Sequence, residues 1–254
     1  MSRAPLQMLL RTWAVGALFC LWWVASHFAW VSPYLLPSPE TVCASFVRLA
    51  QSGELASHVG ASFARSLTGY AFAAGLAVPL GYLFSQKPKW LMQSNLLLES
   101  LRMIPPLSLI PLLIVWLGIG EAPKIAIVVL ASFFPIYLNA LSGFSQIDGR
   151  YRDLAYMLDM NKREKWRYIE LPGALPHLFT GLRIGFGYSW RALIGAELIA
   201  ASSGIGFLIT EAGQLARTDE VIVGIFCIAV LGVVADSLLK VVMVRLAPWS
   251  KSWT

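Results

Sequence analysis

Residues 12–39, 66–86, 103–120 and 125–147 contain no Asp, Glu, Lys or Arg. About 20 apolar residues at a helical rise of ~1.5 Å per residue cross a ~30 Å hydrocarbon layer. Runs of this length therefore restrict the chain to helices that bury their backbone hydrogen bonds in a bilayer. Two further apolar segments follow, about 176–201 and 221–246, interrupted by Arg183, Arg191 and Glu197 and by Asp236 and Lys240. Composition supports the membrane reading: charged residues make up 13% of the chain, against ~25% in soluble domains. The expectation is an all-α membrane protein of about six transmembrane helices. The spans are placed at about 12–30, 62–85, 94–118, 124–144, 176–201 and 221–246, in a single domain covering 1–254.

Lys and Arg set the orientation. With the N-terminus inside, the cytoplasmic segments hold Arg3 and Arg11, Lys87 and Lys89, six basic residues between Arg150 and Arg167, and Lys240, Arg245 and Lys251. The outer segments hold Arg48, Lys124 and Arg217, with Arg65 near the membrane edge. Both termini are expected to be cytoplasmic. The net charge of +6 reads as topology, and no basic groove with interleaved aromatics suggests nucleic acid. The first apolar run exceeds a signal-peptide core and reads as a retained helix. Cys20, Cys43 and Cys227 show no C-x-x-C spacing, so neither a disulfide nor a metal site is expected.

Between the first two spans, Ser38-Pro39-Glu40 reads as an N-cap with Pro in the first turn. Val42, Phe46 and Leu49 recur at helical spacing, so an amphipathic helix along the outer face is expected over about 38–52. Pro105-Pro106 breaks the third span, and Glu99 and Arg102 lie one turn apart just before it, as an internal tie or part of a gate. Asn139 in the fourth span is polar and calls for a hydrogen-bond partner, between helices or along a cavity. In the fifth span Arg191 stands beside Ser189 and Trp190, a set able to receive an oxyanion, or else pairs with a carboxylate such as Glu197. Arg183 reads as snorkelling to the interface or tied to the cytoplasmic loop. Gly181, Gly185, Gly187 and Gly195 allow close helix packing, and Asp236 reads as an i,i+4 partner of Lys240.

The cytoplasmic segment, about 148–175, gathers charges in an otherwise apolar chain. It contains DLAYMLDMNKREKWRYIELPGALP. Asp153 to Met160 and Lys162 to Tyr168 read as two helical pieces meeting near Asn161. Leu154, Met157 and Leu158 form an apolar face, and Pro172 and Pro176 are expected to stop the helix. The stretch resembles the EAA loop of permease subunits of ATP-binding-cassette importers. Asp153-Leu154-Ala155 stands for Glu-Ala-Ala, Asp159 stands where the pattern has Gly, and Ile169-Glu170-Leu171-Pro172 matches the Ile-x-Leu-Pro close. LLPSPETV, IPPLSLIPLLIVWLGIG, LPGALPHLFTGLRIGFG and AELIAASSGIGFLI resemble the subfamily handling aliphatic sulfonates, taurine, nitrate or bicarbonate.

The resemblance implies a type I importer permease in a bacterial inner membrane. It carries a small anion, an aliphatic sulfonate or taurine, with nitrate, bicarbonate or another small nutrient as the alternative. It implies a second permease copy, two cytoplasmic ATP-binding subunits and an extracytoplasmic substrate-binding protein. Asp153, Leu154, Ala155, Met157, Leu158, Asp159, Ile169, Leu171 and Pro172 would couple to the ATPase. Arg191, Trp190, Ser189, Glu197, Arg102 and Asn139 are candidates for the translocation pathway. There is no G-x-x-x-x-G-K-[ST], so ATP and Mg belong to the partner subunit and no cofactor is expected on this chain. An ion-coupled secondary transporter would show internal repeats and a carboxylate relay. An intramembrane enzyme would need a catalytic set, and His27, His58 and His177 are isolated.

Overall fold

The computed structural model describes residues 4–246. Arg3 and Lys251, and the side chains of Arg11 and Arg152, lie outside the described residues. Every regular element described is helical, in the order α1 (Ala4–His27), α2 (Pro39–Gln51), α3 (Glu54–Gln86), α4 (Pro88–Arg102), a 3-10 turn (Pro106–Leu109), α5 (Ile110–Leu117), α6 (Glu121–Ser145), α7 (Gly149–Met157), α8 (Lys162–Lys165), a π-turn (Trp166–Glu170), α9 (Leu171–Ala200), α10 (Ile205–Gln214) and α11 (Thr218–Leu246).

Helices α3, α6, α11 and the segment containing α9 are each long and apolar enough to cross a bilayer. α4 with the 3-10 turn and α5 makes a fifth crossing only if counted as one span, bent by 82°. The Pro105-Pro106 pair causes that bend, because it removes two backbone donors at successive positions. α1 is a 24-residue helix whose apolar part is Gly16–His27.

α6 is the centre of the bundle, flanked by α3 and α9. Ala73 and Ala77 of α3 pack on Ile136 and Tyr137 of α6, and Ala174 and Leu178 of α9 pack on Ala140 and Phe144. These interfaces are close because glycines stand in them. A methyl group at Gly181 would lie 2.5 Å from Asn139 Cβ, and one at Gly185 would lie 2.6 Å from Ile136. In a bilayer no hydrophobic force draws helices together, so this backbone approach, and the dispersion contact it allows, carries the association. Leu49, Leu55, Leu208 and Val223 form a second core joining α2, α3, α10 and α11.

Three local expectations are corrected. The Pro172 and Pro176 rings do not stop the helix; helical backbone runs from Leu171 to Ala200 through both. Pro172 falls in the first turn of α9. Just before it the π-turn closes with Leu171 N–H donating to Trp166 O, a longer loop than the α-helical bond. On α2, Ser38 caps Thr41 N at 3.3 Å, but the buried face is Val42, Ser45 and Leu49. Phe46 is half-exposed, since Ser45 donates to Asp219 on α11 and turns that face inward. Asp236 pairs with Arg183, not with Lys240: the guanidinium meets both carboxylate oxygens at 2.7 Å. A planar fork on the facing helix offers two bonds where an i,i+4 ammonium offers one.

Candidate functional site

Two regions gather the candidate residues, and a third was hidden from the sequence. The first is the 148–175 loop. α7 ends at Leu158 in a Schellman arrangement: Asp159 N–H donates to Tyr156 O at 3.1 Å and Met160 N–H to Ala155 O at 3.0 Å. That geometry requires a left-handed residue, and Asp159 has φ +48°. Asp is one of the few side chains that tolerates it. Asn161 then caps α8 in a capping box, its side chain accepting from Arg163 N and Glu164 N while Glu164 accepts from Asn161 N. Ala155 is buried, whereas Leu154, Met157 and Leu158 are exposed, Met157 to 81%. Asp153 is exposed, and Ile169, Leu171 and Pro172 are partly buried at the root of α9. The loop is thus a rigid, doubly capped helix pair that turns apolar side chains outward.

The second region is a half-open cavity of about 670 Å³ between α4, the 3-10 turn, α6 and α9. Arg102, Asn139 and Tyr188 line it, among Leu98, Leu101, Phe134, Leu138 and Ile184. Glu99 accepts from Asn95 at 3.0 Å, and no carboxylate lies within 4.0 Å of Arg102 among the described residues. The Glu99–Arg102 tie is therefore absent, and Arg102 is an exposed residue at the rim of the cavity. Asn139 Nδ2 donates to Pro135 O of its own helix at 2.8 Å. Arg191 is exposed, donates from Nε to Gly187 O at 2.9 Å, and stacks 5.1 Å from the Tyr188 ring centroid.

The expected trio does not assemble. Ser189 is buried and donates to Phe186 O at 2.8 Å, while Trp190 is buried with Nε1 donating to Ile228 O at 3.3 Å. Adjacent helical residues point about 100° apart, so neither side chain accompanies Arg191. Glu197 does not pair with Arg191 either.

Glu197 belongs to the third region, a buried ionic cluster joining α3, α6, α9 and α10. Arg65 commits all five of its N–H groups. Nε and Nη2 go to Glu121, Nη1 goes to Glu197 and Ser203 O, and Nη2 also donates to Ser203 Oγ. Glu197 also accepts from Ser62 Oγ at 2.8 Å and Gly206 N at 3.1 Å, while Ser62 accepts from Ile205 N and His58 Nδ1 from Gly204 N. His58 is therefore an acceptor at Nδ1. Gly204 has φ +114°, and a methyl group there would strike the Glu197 carboxylate at 2.3 Å. This arrangement explains the SSGIG run: Ser203 accepts from Arg65, Gly204 leaves room for the Glu197 carboxylate, Gly206 N–H donates to it, and the Gly204 and Ile205 N–H groups bond His58 and Ser62. The sequence carried a signal, since Arg65 and Glu197 are opposite charges each set in an apolar helix, but their partnership spans 132 residues. At the start of α2, the Ser38 hydroxyl beside Glu40 holds that carboxyl below its usual range.

A sequence profile of binding-protein-dependent transport system inner membrane components matches residues 73–247. The chain belongs to that family. As an ATP-binding-cassette importer permease it is a transport subunit rather than an enzyme; ATP is hydrolysed by separate subunits. The permease is 33% identical over 248 residues to the taurine transport system permease protein of Escherichia coli, covering 96% of this chain and 90% of the relative. A Bacillus subtilis protein bearing the name of an aliphatic sulfonates transport permease is 34% identical over 240 residues, covering 94% and 86%. The nitrate import permease protein of Synechocystis is 31% identical over 176 residues, covering 69% and 64%. Among solved structures, an inward-facing MetNI methionine ABC transporter chain superposes with a TM-score of 0.61 at 18% identity, over 78% of this permease and 94% of that chain. The type I permease fold is thereby shared, and the family works with ATP-binding subunits and a substrate-binding protein.

Proposed function

We propose that this permease lies in a bacterial inner membrane with six crossings and cytoplasmic termini, and that two copies enclose a pathway for a small anion, an aliphatic sulfonate or taurine. The observation that carries this reading is the cavity between α4, α6 and α9, which Arg102, exposed and without a carboxylate within 4.0 Å among the described residues, lines together with mainly apolar residues. A cation set in carbon suits a cargo with an anionic head and a short alkyl body. The names of the sulfonate and taurine permeases support the same class. Nitrate or bicarbonate is the second reading, favoured by the likeness to a nitrate permease. The 148–175 loop docks on the ATP-binding subunit, and cargo arrives on an extracytoplasmic binding protein.

Arg102→Ala and Arg191→Ala are each expected to lower uptake of taurine or an alkanesulfonate about tenfold, the weight of one charge-assisted hydrogen bond. Lys at either position should recover part, because a point charge replaces the fork. Transport measured in proteoliposomes checks this; wild-type rates in both alanine variants would remove the anion-contact reading. Native mass measurement of the solubilised complex is expected to give two permeases and two ATPases. One permease per two ATPases, or a second and different permease chain, would overturn the symmetric pair.

A further inference from the structure

We propose that Glu170 is the positioning residue that passes movement of the cytoplasmic loop into two membrane helices at once, through its hydrogen bond from Tyr82. The proposal rests on the reading of the loop as the docking element for the ATP-binding subunit.

Glu170 is the one charged side chain of the 148–175 segment that is buried among the described residues, at 5% exposure. A carboxylate is left in such a place only when it is paired. Its two oxygens go to different elements. Oε2 accepts from the Tyr82 hydroxyl on α3 at 2.8 Å, and Oε1 faces Lys165 Nζ on α8 at 3.4 Å. Tyr82 is itself fixed, its ring 5.0 Å from and edge-on to Phe144 of α6. One carboxylate therefore joins the loop to the inner end of α3, beside α6.

The backbone at this point adds a second argument. Glu170 is the last residue of the π-turn, and the next residue opens α9. A π-turn inside helical backbone closes one residue later than an α-turn, is rare, and falls frequently at functional sites. Beyond it α9 runs unbroken to Ala200 and carries Ile184 and Tyr188 at the cavity. Asn139, on α6, borders the same space. Displacing the loop with the Tyr82 bond intact would drag α3 and α9 together. With that bond gone, the π-turn would absorb the displacement and the spans would stay behind.

Glu170 touches neither cargo nor nucleotide under this assignment, so the readout is the number of ATP molecules hydrolysed per anion imported. Permease variants are reconstituted with the cognate ATPase and binding protein, and ATPase co-purification and thermal unfolding are recorded alongside. Tyr82→Phe removes one hydroxyl and keeps the ring. It is expected to leave ATPase association and melting near wild type while raising ATP consumed per anion about tenfold. Glu170→Gln still accepts from Tyr82 and loses only the Lys165 charge, so it should fall between wild type and Tyr82→Phe. A wild-type ratio in Tyr82→Phe overturns the proposal, and so does a lowered melting point with an unchanged ratio, which is the mark of a merely structural contact. Loss of ATPase association in Tyr82→Phe also overturns it, because Tyr82 would then shape the docking face. Leu154→Asp, measured in parallel, separates the two ideas. If it binds and couples normally, the docking reading fails. If it loses the ATPase while Tyr82→Phe couples normally, only the linkage fails.

Discussion

Arg65→Ala is expected to destabilise the permease by about 3–5 kcal/mol, the range for breaking a buried ion pair by removing one partner. The size follows from what remains. Glu197 is 1% exposed and would keep its Ser62 and Gly206 donors but lose its only cation. Ser203 would lose two donors in the same step, and the turn leading into α10 would be held to α3 only through His58 and Ser62. Glu121 is affected less, because it is half-exposed and retains Lys124 at 2.9 Å. Arg65→Lys should fare little better than alanine, since one ammonium cannot serve Glu121, Glu197 and Ser203 from the positions of a five-donor fork. The double variant Arg65→Met, Glu197→Gln is expected to be more stable than Arg65→Ala. It leaves no uncompensated charge, and the glutamine oxygen still accepts from Gly206 N–H. Thermal unfolding in detergent measures all three. An Arg65→Ala protein that melts like wild type would show the cluster to be dispensable.

Leu154→Asp or Leu158→Asp is expected to abolish ATPase association, or to uncouple hydrolysis from uptake, without impairing membrane insertion. Both side chains are exposed in the single chain, at 45% and 63%, so a carboxylate costs nothing until the partner covers it. In a closed docking groove the same carboxylate would be desolvated with no assured partner. Asp159→Gly is the control. It removes the strain of a side chain at φ +48° and should preserve association and coupling. Co-purification, with uptake and hydrolysis in vesicles, decides the matter. Normal association and coupling in both leucine variants would falsify the docking role.

Sequence reading reached the permease class because that class is written in local terms. Apolar runs of bilayer length, basic residues on one side, the Pro105-Pro106 break and the spacing from Asp153 to Pro172 each lie within a few dozen neighbouring residues. The left-handed turn at Asp159 was not read: the two helical pieces were expected to meet near Asn161, which instead caps α8. Partnerships between distant helices were not legible. Arg183 finds Asp236 and Arg65 finds Glu197 because α3, α6, α9 and α11 are packed against one another, and partners 53 or 132 positions apart in sequence give no hint of it. Sequence also could not separate Ser189, Trp190 and Arg191, which are neighbours along the chain but point to different sides of α9. Nor could it anticipate that helix would survive Pro172, which depends on a π-turn placed just before it. Hydrophobicity and charge thus determined by themselves that this chain is a multi-pass membrane protein, and the resemblance of its charged loop pointed to a permease. Which buried charges neutralise each other, and which arginine is left at the rim of the cavity, was decided only by packing, because in a low-dielectric interior a charge's role is set by the groups within a few ångströms of it.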